Sequence, residues 1–401
     1  MKLLHIADLH IGKRVNGMAL VEDQRHILGQ IVSIAEDEAI DAILIAGDIY
    51  DKASPSAEAV TVLDAFLTEL AGRGIRVLAV PGNHDSAERI AYAQGLLESQ
   101  GVCFPPVFDG EIARVELEDE DGSVTVWLVP FLRPGDVRRF FPDVEIGDDY
   151  SKALSAALGS CGIDTAERNV ALSHQFVTAG GVSPERADDE IKLGGIDNVD
   201  VSVYDAFDYV ALGHVHRPQR VGRDTARYAG SPLKYSFSEA RYDKSAVIVE
   251  LGPKSAGDEP GACVSTRLVP LVPLHDMREV RMTLEALLAD GLPDDADNED
   301  YLHVTLTDEH PQLDAMAKIH EKYPNAMTLD YESTAVIAAH EHVRAAVDPD
   351  EVGTVELFAR FYEEQVGKPM DDIQESLVSE FAHRIEAGHS RGGDGEEGGA
   401  R

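Results

Sequence analysis

The sequence predicts an α/β protein, and three observations predict it. Short apolar runs alternate with amphipathic stretches at helical spacing over the first hundred residues. The first three runs each end on side chains able to ligate metal: Asp8 and His10, then Asp48, then Asn83 and His84. Two later runs end the same way, on His174 and on His214 with His216.

In chain order, residues 3–7 read as a buried strand leading into Asp8 and His10. Val21, Ile27, Ile31, Ile34 and Ala35 fall at helical spacing. Residues 42–46 form a second buried strand, running into Gly47-Asp48-Ile49-Tyr50-Asp51. Ser54 and Pro55 supply an N-cap and first-turn proline for the next helix, whose core face is Val60, Leu63, Phe66, Leu67 and Leu70 and which Gly72 and Gly74 stop. A third strand, 77–80, delivers Pro81-Gly82-Asn83-His84-Asp85. Residues 102–129 alternate as antiparallel strands do, with a hairpin turn at 119–122. Strands at 170–172, 209–212 and 246–251 complete a first domain, 1–251. The Gly-, Pro- and Ser-rich stretch 252–273 reads as a linker. A small α/β capping domain follows at 274–345, with strands at 279–283, 302–307 and 326–331 and a helix at 313–322. A helical pair is expected at 350–387, broken at Gly367 and Pro369, and a Gly-rich disordered tail at 388–401.

At 401 residues the chain has room for two or three domains. No apolar run approaches the ~18 residues of a membrane span, and Met1 leads straight into a strand pattern, so neither anchor nor signal peptide is expected. Cys103, Cys161 and Cys263 match no disulfide or metal spacing and suit a reducing cytoplasm. The net charge of −38 argues against tight nucleic-acid binding by this chain alone, since phosphate-rich partners are met by basic faces. A solvated acidic surface is the plain reading of that charge.

The chemistry lies at the five strand ends, where α/β folds place ligand sites. Asp48 can bridge two ions through its two oxygens. Asp8, His10 and one of the late histidines then complete one site; Asn83, His174 and the other late histidine complete the second. Oxygen and imidazole donors without thiolate suit Mn²⁺, Fe²⁺ or Zn²⁺, and two such ions about 3.5–4 Å apart clamp a phosphate ester. Gly47, Gly82 and Gly213 suggest unusual backbone angles at these turns. Any one of these residues alone is explained as a turn, cap or core residue; five successive strand ends are not.

Asp8-x-His10, Gly47-Asp48-x-x-Asp51, Gly82-Asn83-His84-Asp85, His174 and Gly213-His214-x-His216 together resemble the calcineurin-like metallophosphoesterase signature. The resemblance implies a sandwich of two mixed β-sheets flanked by helices. Within that superfamily, Leu-His-Ile-Ala-Asp-Leu-His-Ile-Gly (4–12) and Tyr-Ala-Gly-Ser-Pro-Leu-Lys-Tyr-Ser-Phe-Ser-Glu (228–239) resemble the nuclease subunits of double-strand-break repair complexes. That implies two ions, Mn²⁺ by family habit. Asp8, His10, Asp48 and His216 would hold one; Asp48, Asn83, His174 and His214 would hold the other. His84 would support phosphodiester cleavage without binding metal, and Asp51 would orient it.

The implied activity is exonuclease action on duplex ends and endonuclease action on single strands and hairpins, in a nucleoid-associated cytoplasmic complex. Its partners are DNA and a coiled-coil ABC ATPase docked on the helical pair, with a homodimer inside a heterotetramer and no membrane. The chain has no Walker A pattern of its own, so ATP chemistry comes from outside it. Arg14, Arg217 and Lys234 flank the motifs and are candidate phosphate contacts. Two alternatives stand beside this reading. A hydrolase of cyclic nucleotides or small phosphodiesters has no use for the last 150 residues, and a non-catalytic DNA-end scaffold has no reason to keep every ligand.

Overall fold

Alternation along the apolar runs decides what each face of a strand meets. The computed structural model describes residues 1–186, 197–255, 257–292, 296–310 and 312–332, with scattered positions between 355 and 379. They divide into two units, Met1–Arg281 with Ala286–Val304 and Met316–Leu329, and the described parts of Met282–Glu285, Thr305–Ala315 and Asp330–Arg401.

The first unit holds two six-stranded sheets. One runs Val264–Pro270, Ser245–Leu251, Lys2–Ile6, Ala42–Ala46, Arg76–Val80, Val102–Cys103. Its three central strands, Lys2–Ile6, Ala42–Ala46 and Arg76–Val80, are parallel, and Ser245–Leu251 pairs antiparallel to the first. The other runs Gln219–Val221, Arg223–Tyr228, Tyr209–Gly213, Arg168–His174, Gly122–Val129, Ala113–Asp119. There Arg168–His174 lies parallel to both neighbours.

Leu3, Leu44, Ala46, Leu78 and Val80 point inward and meet Val126, Leu128, Val170, Leu172 and Ala211 of the second sheet. The alternate residues Leu4, Ile6, Ile43, Ile45, Val77 and Ala79 point outward, beneath helices Val21–Asp37 and Ala57–Gly72. Burial on both faces explains why these parallel strands read as continuous apolar runs. His5 belongs to the inward set. It shares a 2.9 Å hydrogen bond with the Tyr209 hydroxyl, and burial lowers its pKa to about 3, so a neutral imidazole bridges the sheets. Trp127, Val129, Ala171 and Leu212 on the outer face of the second sheet join the core over helix Tyr150–Gly159.

Several expectations are corrected. Helix Ala57–Gly72 is capped by Ser56, whose hydroxyl accepts from the Ala59 N–H at 3.2 Å, rather than by Ser54. Val60 is 46% exposed, and Ala59 and Val62 take its place in the core. The stretch expected as a linker contains strand Val264–Pro270, paired with Ser245–Leu251 from Ser245↔Pro270 to Leu251↔Val264. As an edge strand half open to solvent it needs no apolar run, and its flanking glycines and prolines disguised it.

Beyond it, strands Met277–Met282, Tyr301–Leu306 and Ala326–Tyr331 form a small sheet in that order. Asp23 on helix Val21–Asp37 receives the Tyr301 hydroxyl at 2.6 Å and the His275 N–H at 3.1 Å. Within the second unit, Leu284 N–H donates to Asp308 Oδ2 and Gln312 N–H to the Tyr331 hydroxyl.

The end of the expected capping domain, most of the expected helical pair and the whole expected tail lie outside the described residues. Val355, Phe358, Ala359, Tyr362, Gln374, Glu375, Leu377, Val378 and Ser379 are described and helical. Gln374 Nε2 donates to the Tyr362 hydroxyl at 2.9 Å. No helix among the described residues is long and apolar enough to cross a membrane.

The sheets come close at their carboxyl ends, where a Cβ on Gly213 would lie 1.8 Å from the Ala46 carbonyl oxygen. Gly213→Ala must therefore force the sheets apart. We expect it to lower stability by about 3 kcal/mol, read as a shifted midpoint in urea unfolding; an unshifted midpoint would show that the seam yields freely.

Candidate metal centre

The carboxyl ends of Lys2–Ile6, Ala42–Ala46 and Arg76–Val80 open onto three adjacent loops, and two of them zip together. Asp8 N–H donates to Gly47 O at 3.1 Å, His10 N–H to Asp48 O at 2.9 Å, and Ile11 N–H to Ile49 O at 2.9 Å. This pairing puts Asp8 (φ 52°), His10 (φ 43°) and Asp48 (φ 45°) in the left-handed region, and His214 has φ 104°. For residues with a Cβ such angles cost of order 1–3 kcal/mol each, and they persist where the surroundings over-determine them.

Gln24 supplies part of that restraint. Buried on helix Val21–Asp37, it accepts from Gly12 N–H at 2.9 Å and donates to His10 O at 2.8 Å. Among the three glycines singled out in sequence, Gly47 alone needs its backbone freedom, with φ 83°. Gly82 and Gly213 are glycine for want of room: a Cβ on Gly82 would sit 2.1 Å from Asp48 Oδ1.

All seven expected ligands converge. Asp8, His10 and His216 bring ligand atoms within 4.8 Å of one another, and so do Asp8, Asp48 and His174. Asp48 Oδ2 lies 3.7 Å from His10 Nε2 and 3.4 Å from His174 Nε2, between the two groups. Asn83 Oδ1 lies 3.1 Å from His174 Nε2 and 2.8 Å from His214 Nδ1. Asp8 also belongs to the His174 group, although sequence reasoning gave it to the first ion alone.

Two of the imidazoles are aimed by their other nitrogen. His174 Nδ1–H donates to Ala46 O at 2.8 Å, and His216 Nδ1–H to Glu239 Oε1 at 3.1 Å. Tyr235 stacks edge-on against His10 and His216, with ring centroids 5.5 and 5.9 Å away. Such outer contacts fix tautomer and orientation.

Burial and mutual charge set the electrostatics of the cluster. Burial opposes the charged form of His174, but the Asp48 carboxylate beside it prevails and pushes its pKa up to about 9. Burial raises Asp8 to about 6 against the pull of His174 and His216. Burial also holds His10 well below the usual histidine range, Asp48 notwithstanding. For Asp48, burial is overcome by His174, which keeps its carboxyl well below the usual carboxylate range.

His84 stands beside this cluster, its ring centroid 4.9 Å from that of His10 and its N–H donating to Asp48 Oδ1 at 2.9 Å. Asp51 orients it through its main chain: His84 Nδ1–H donates to the Asp51 carbonyl at 3.0 Å. The Asp51 carboxylate pairs with Lys13 at 3.0 Å and lies 3.8 Å from His10 Nδ1, and His10, Asp51 and His84 form a third group with ligand atoms within 4.8 Å of one another.

Sequence reasoning gave no role to three supports. Asp85 accepts from Ile49, Tyr50 and Gly82 N–H at 3.0, 2.9 and 2.9 Å and so ties the Asp48 loop to the Asn83 loop. Glu239 holds His216 and is itself held by Lys244, which also donates to His216 O at 2.9 Å. Gln24 is the third. Asp85 and Glu239 both fell inside quoted motifs, which was the available signal. Of the flanking cations, Lys234 is committed to Asp276 at 2.7 Å and Arg217 lies over Tyr242 and pairs with Glu185.

The donors fit divalent cations. They are carboxylate, amide oxygen and imidazole, without thiolate. His10 Nε2 faces His216 Nε2 at 3.2 Å. Since His216 donates from Nδ1, its Nε2 presents a lone pair to His10, whose Nδ1 has no hydrogen-bond partner among the described residues. His10 Nε2–H can serve that lone pair only with His10 Nδ1 left as a buried acceptor without a donor among the described residues, whereas a cation would take both Nε2 lone pairs.

Comparison with known proteins agrees. A family model described as calcineurin-like phosphoesterase matches residues 1–218, and the SbcD C-terminal model, described as the type 5 capsule protein repressor C-terminal domain, matches residues 273–366. The chain is 29% identical over 381 residues to the D subunit of nuclease SbcCD from Staphylococcus epidermidis, covering 94% of this chain and 97% of that protein. A dimetal phosphatase from Danio rerio aligns with a TM-score of 0.38 at 13% identity, over 66% of this chain and 98% of that one. A Thermus thermophilus protein aligns with a TM-score of 0.37 at 13% identity, over 67% and 98%.

Two outcomes follow from the geometry. His174 titrates near 9 in the metal-free fold against an ordinary 6.5, so its proton stabilises that fold fully below pH 6.5, and the stabilisation is lost as pH rises through 9. The Tm of metal-free protein should therefore fall between pH 6.5 and 9, while saturating Mn²⁺, competing for the same nitrogen, should flatten the curve; calorimetry showing one slope for both forms would contradict this. In Glu239→Gln, His216 loses its charged anchor, and Mn²⁺ affinity by calorimetric titration should drop about 10–100-fold. An affinity equal to that of the parent would leave Glu239 a purely structural residue.

Proposed function

This chain belongs to the calcineurin-like phosphoesterase family, and from that premise we propose that it is a two-metal-ion DNA nuclease working with an SbcC-type coiled-coil ABC ATPase in break processing, recombination and repair. The observation that carries the reading is the closure of one centre by Asp8, His10, Asp48, Asn83, His174, His214 and His216, with His84 beside it, its ring centroid 4.9 Å from that of His10. Whole-length similarity to a protein named as part of a nuclease supports DNA, rather than a small diester, as the substrate.

Two divalent ions, Mn²⁺ in this reading, would be held by Asp8, His10, Asp48 and His216 and by Asp48, Asn83, His174 and His214, and would supply charge to the scissile phosphoester and an activated water. The protein's part is positional and protic. Asp85 and Gln24 hold the ligand loops in register. His84 Nδ1–H donates to Asp51 O, which leaves Nε2 unencumbered; a ring protonated at both nitrogens would give its Nε2 proton to the departing oxygen and end as the neutral imidazole. The activity would be exonucleolytic on duplex ends and endonucleolytic on single strands and hairpins. The complex would be a heterotetramer built on a homodimer, in the nucleoid-associated cytoplasm. The segment 350–387 would dock on the ATPase as a helical pair, with 274–345 as the capping domain.

His84→Gln tests the assignment. It should lower Mn²⁺-dependent cleavage of linear DNA by about 10²-fold or more while bound manganese, counted by elemental analysis, stays at two per chain. Full activity in that variant would remove His84 from the chemistry. If the wild type with its ATPase hydrolyses a cyclic nucleotide and leaves DNA intact, the nuclease reading itself is lost.

A further inference from the structure

Beside Asn83 opens a cleft of about 500 Å³ that the site described so far does not use. Its floor is the Asn83 loop, and its walls include Val107, Phe108, Phe131, Arg133 and Arg139. The cleft and the metal centre share Phe131. One face of that ring lies nearly parallel to His214, 17° between planes and 6.3 Å between centroids, and its edge meets His174 at 6.3 Å.

The charges of the cleft are unequally committed. Asp85 is saturated by three main-chain N–H groups. Glu88 accepts from the Ser86 hydroxyl at 2.8 Å, and Asp136 accepts from Arg133 N–H at 3.2 Å. The guanidinium groups are held more loosely. Arg133 lies 5.2 Å from the Phe131 ring centroid, and Arg139 lies 4.7 Å from that of Phe140 and reaches Phe108 O at 3.5 Å. Both are exposed, and neither has a carboxylate partner among the described residues. In a chain of net charge −38, two arginines laid on aromatic rings without a carboxylate, next to Asn83, form a site for an anion with a flat ring attached.

We propose that this cleft seats the unpaired nucleotide adjoining the scissile phosphodiester, with Arg133 and Arg139 on its phosphate and its base against the Val107, Phe108 and Phe131 wall. The proposal rests on the nuclease reading and narrows it: the strand must be unpaired at the cut. A base inside a duplex is stacked and paired and cannot enter, whereas single-strand binders use this combination of cationic and aromatic side chains. The volume matches a site for one small ligand, within the usual ~300–1,000 Å³.

The test uses the full chain with Mn²⁺, a single-stranded oligonucleotide and a chromogenic bis(nitrophenyl) phosphate. In the double variant Arg133→Ala, Arg139→Ala, KM for the oligonucleotide should rise about 10-fold or more with kcat within about twofold, since each base–aromatic or cation contact of this kind carries about that much. Bound manganese, counted by elemental analysis, and the urea-unfolding midpoint should be unchanged, which reports an intact fold, and Arg→Lys at both positions should recover part of the KM. An abasic nucleotide next to the cut should raise KM in the wild type and make little further difference in the double variant. If the wild type cuts the oligonucleotide and the double variant does so with the same KM, the subsite is wrong and the nuclease reading survives. If the wild type cleaves the chromogenic diester but no oligonucleotide, the nuclease reading fails and takes the subsite with it.

Discussion

The carbonyl oxygen of Ala46 is where the two sheets meet at the candidate site. It accepts the Nδ1 proton of His174 from the second sheet at 2.8 Å and lies where any side chain on Gly213 would collide. The approach is possible because both strands end in glycine: Gly47 turns the chain at φ 83°, and Gly213 leaves the space empty. From that seam the rest is placed. His174 is aimed, Asp48 falls beside it, and His214 leaves Gly213 at an angle that lets its N–H reach Asp8 at 3.0 Å. Without this close approach each sheet would carry half a site.

Holding the halves together costs backbone strain, and the strain is concentrated where the ligands are. Asp8, His10, Asp48 and His214 are four of the eight non-glycine residues with positive φ among the described positions. Polar side chains with several bonds each offset that cost: Gln24 on the loop after the first strand, Asp85 between the second and third loops, Glu239 with Lys244 behind His216. Gln24, Glu239 and Lys244 are buried, so losing one leaves its partners unsatisfied, and the penalty exceeds the value of the bond itself. The candidate ligand loops are thus braced by the chain's own side chains.

Much of this was legible in the sequence, for a physical reason. Strands buried on both faces must be apolar throughout, so Ala42–Ala46 and Tyr209–Gly213 announce themselves, and the polar residues that end them stand out. The convergence of the seven ligand candidates followed from that pattern. What was not legible depends on partners distant in sequence. A glycine needed for room cannot be told from one needed for φ, so Gly82 and Gly213 were misread. The edge strand Val264–Pro270 looks like a loop because half of it faces water. Gln24 and Asp85 are ordinary polar residues until the loops they bind are seen, and Asp51 acts through a carbonyl that every residue possesses.

Gln24 has one more consequence, through its neighbour. Asp23, one residue before it on the same first helical turn, is the anchor for His275 and Tyr301 at the start of the small sheet. Adjacent residues of one helix turn therefore serve two tasks: Asp23 receives Tyr301 and His275, while Gln24 receives Gly12 and holds His10 O, so a substitution that shifts this turn disturbs both sets of bonds.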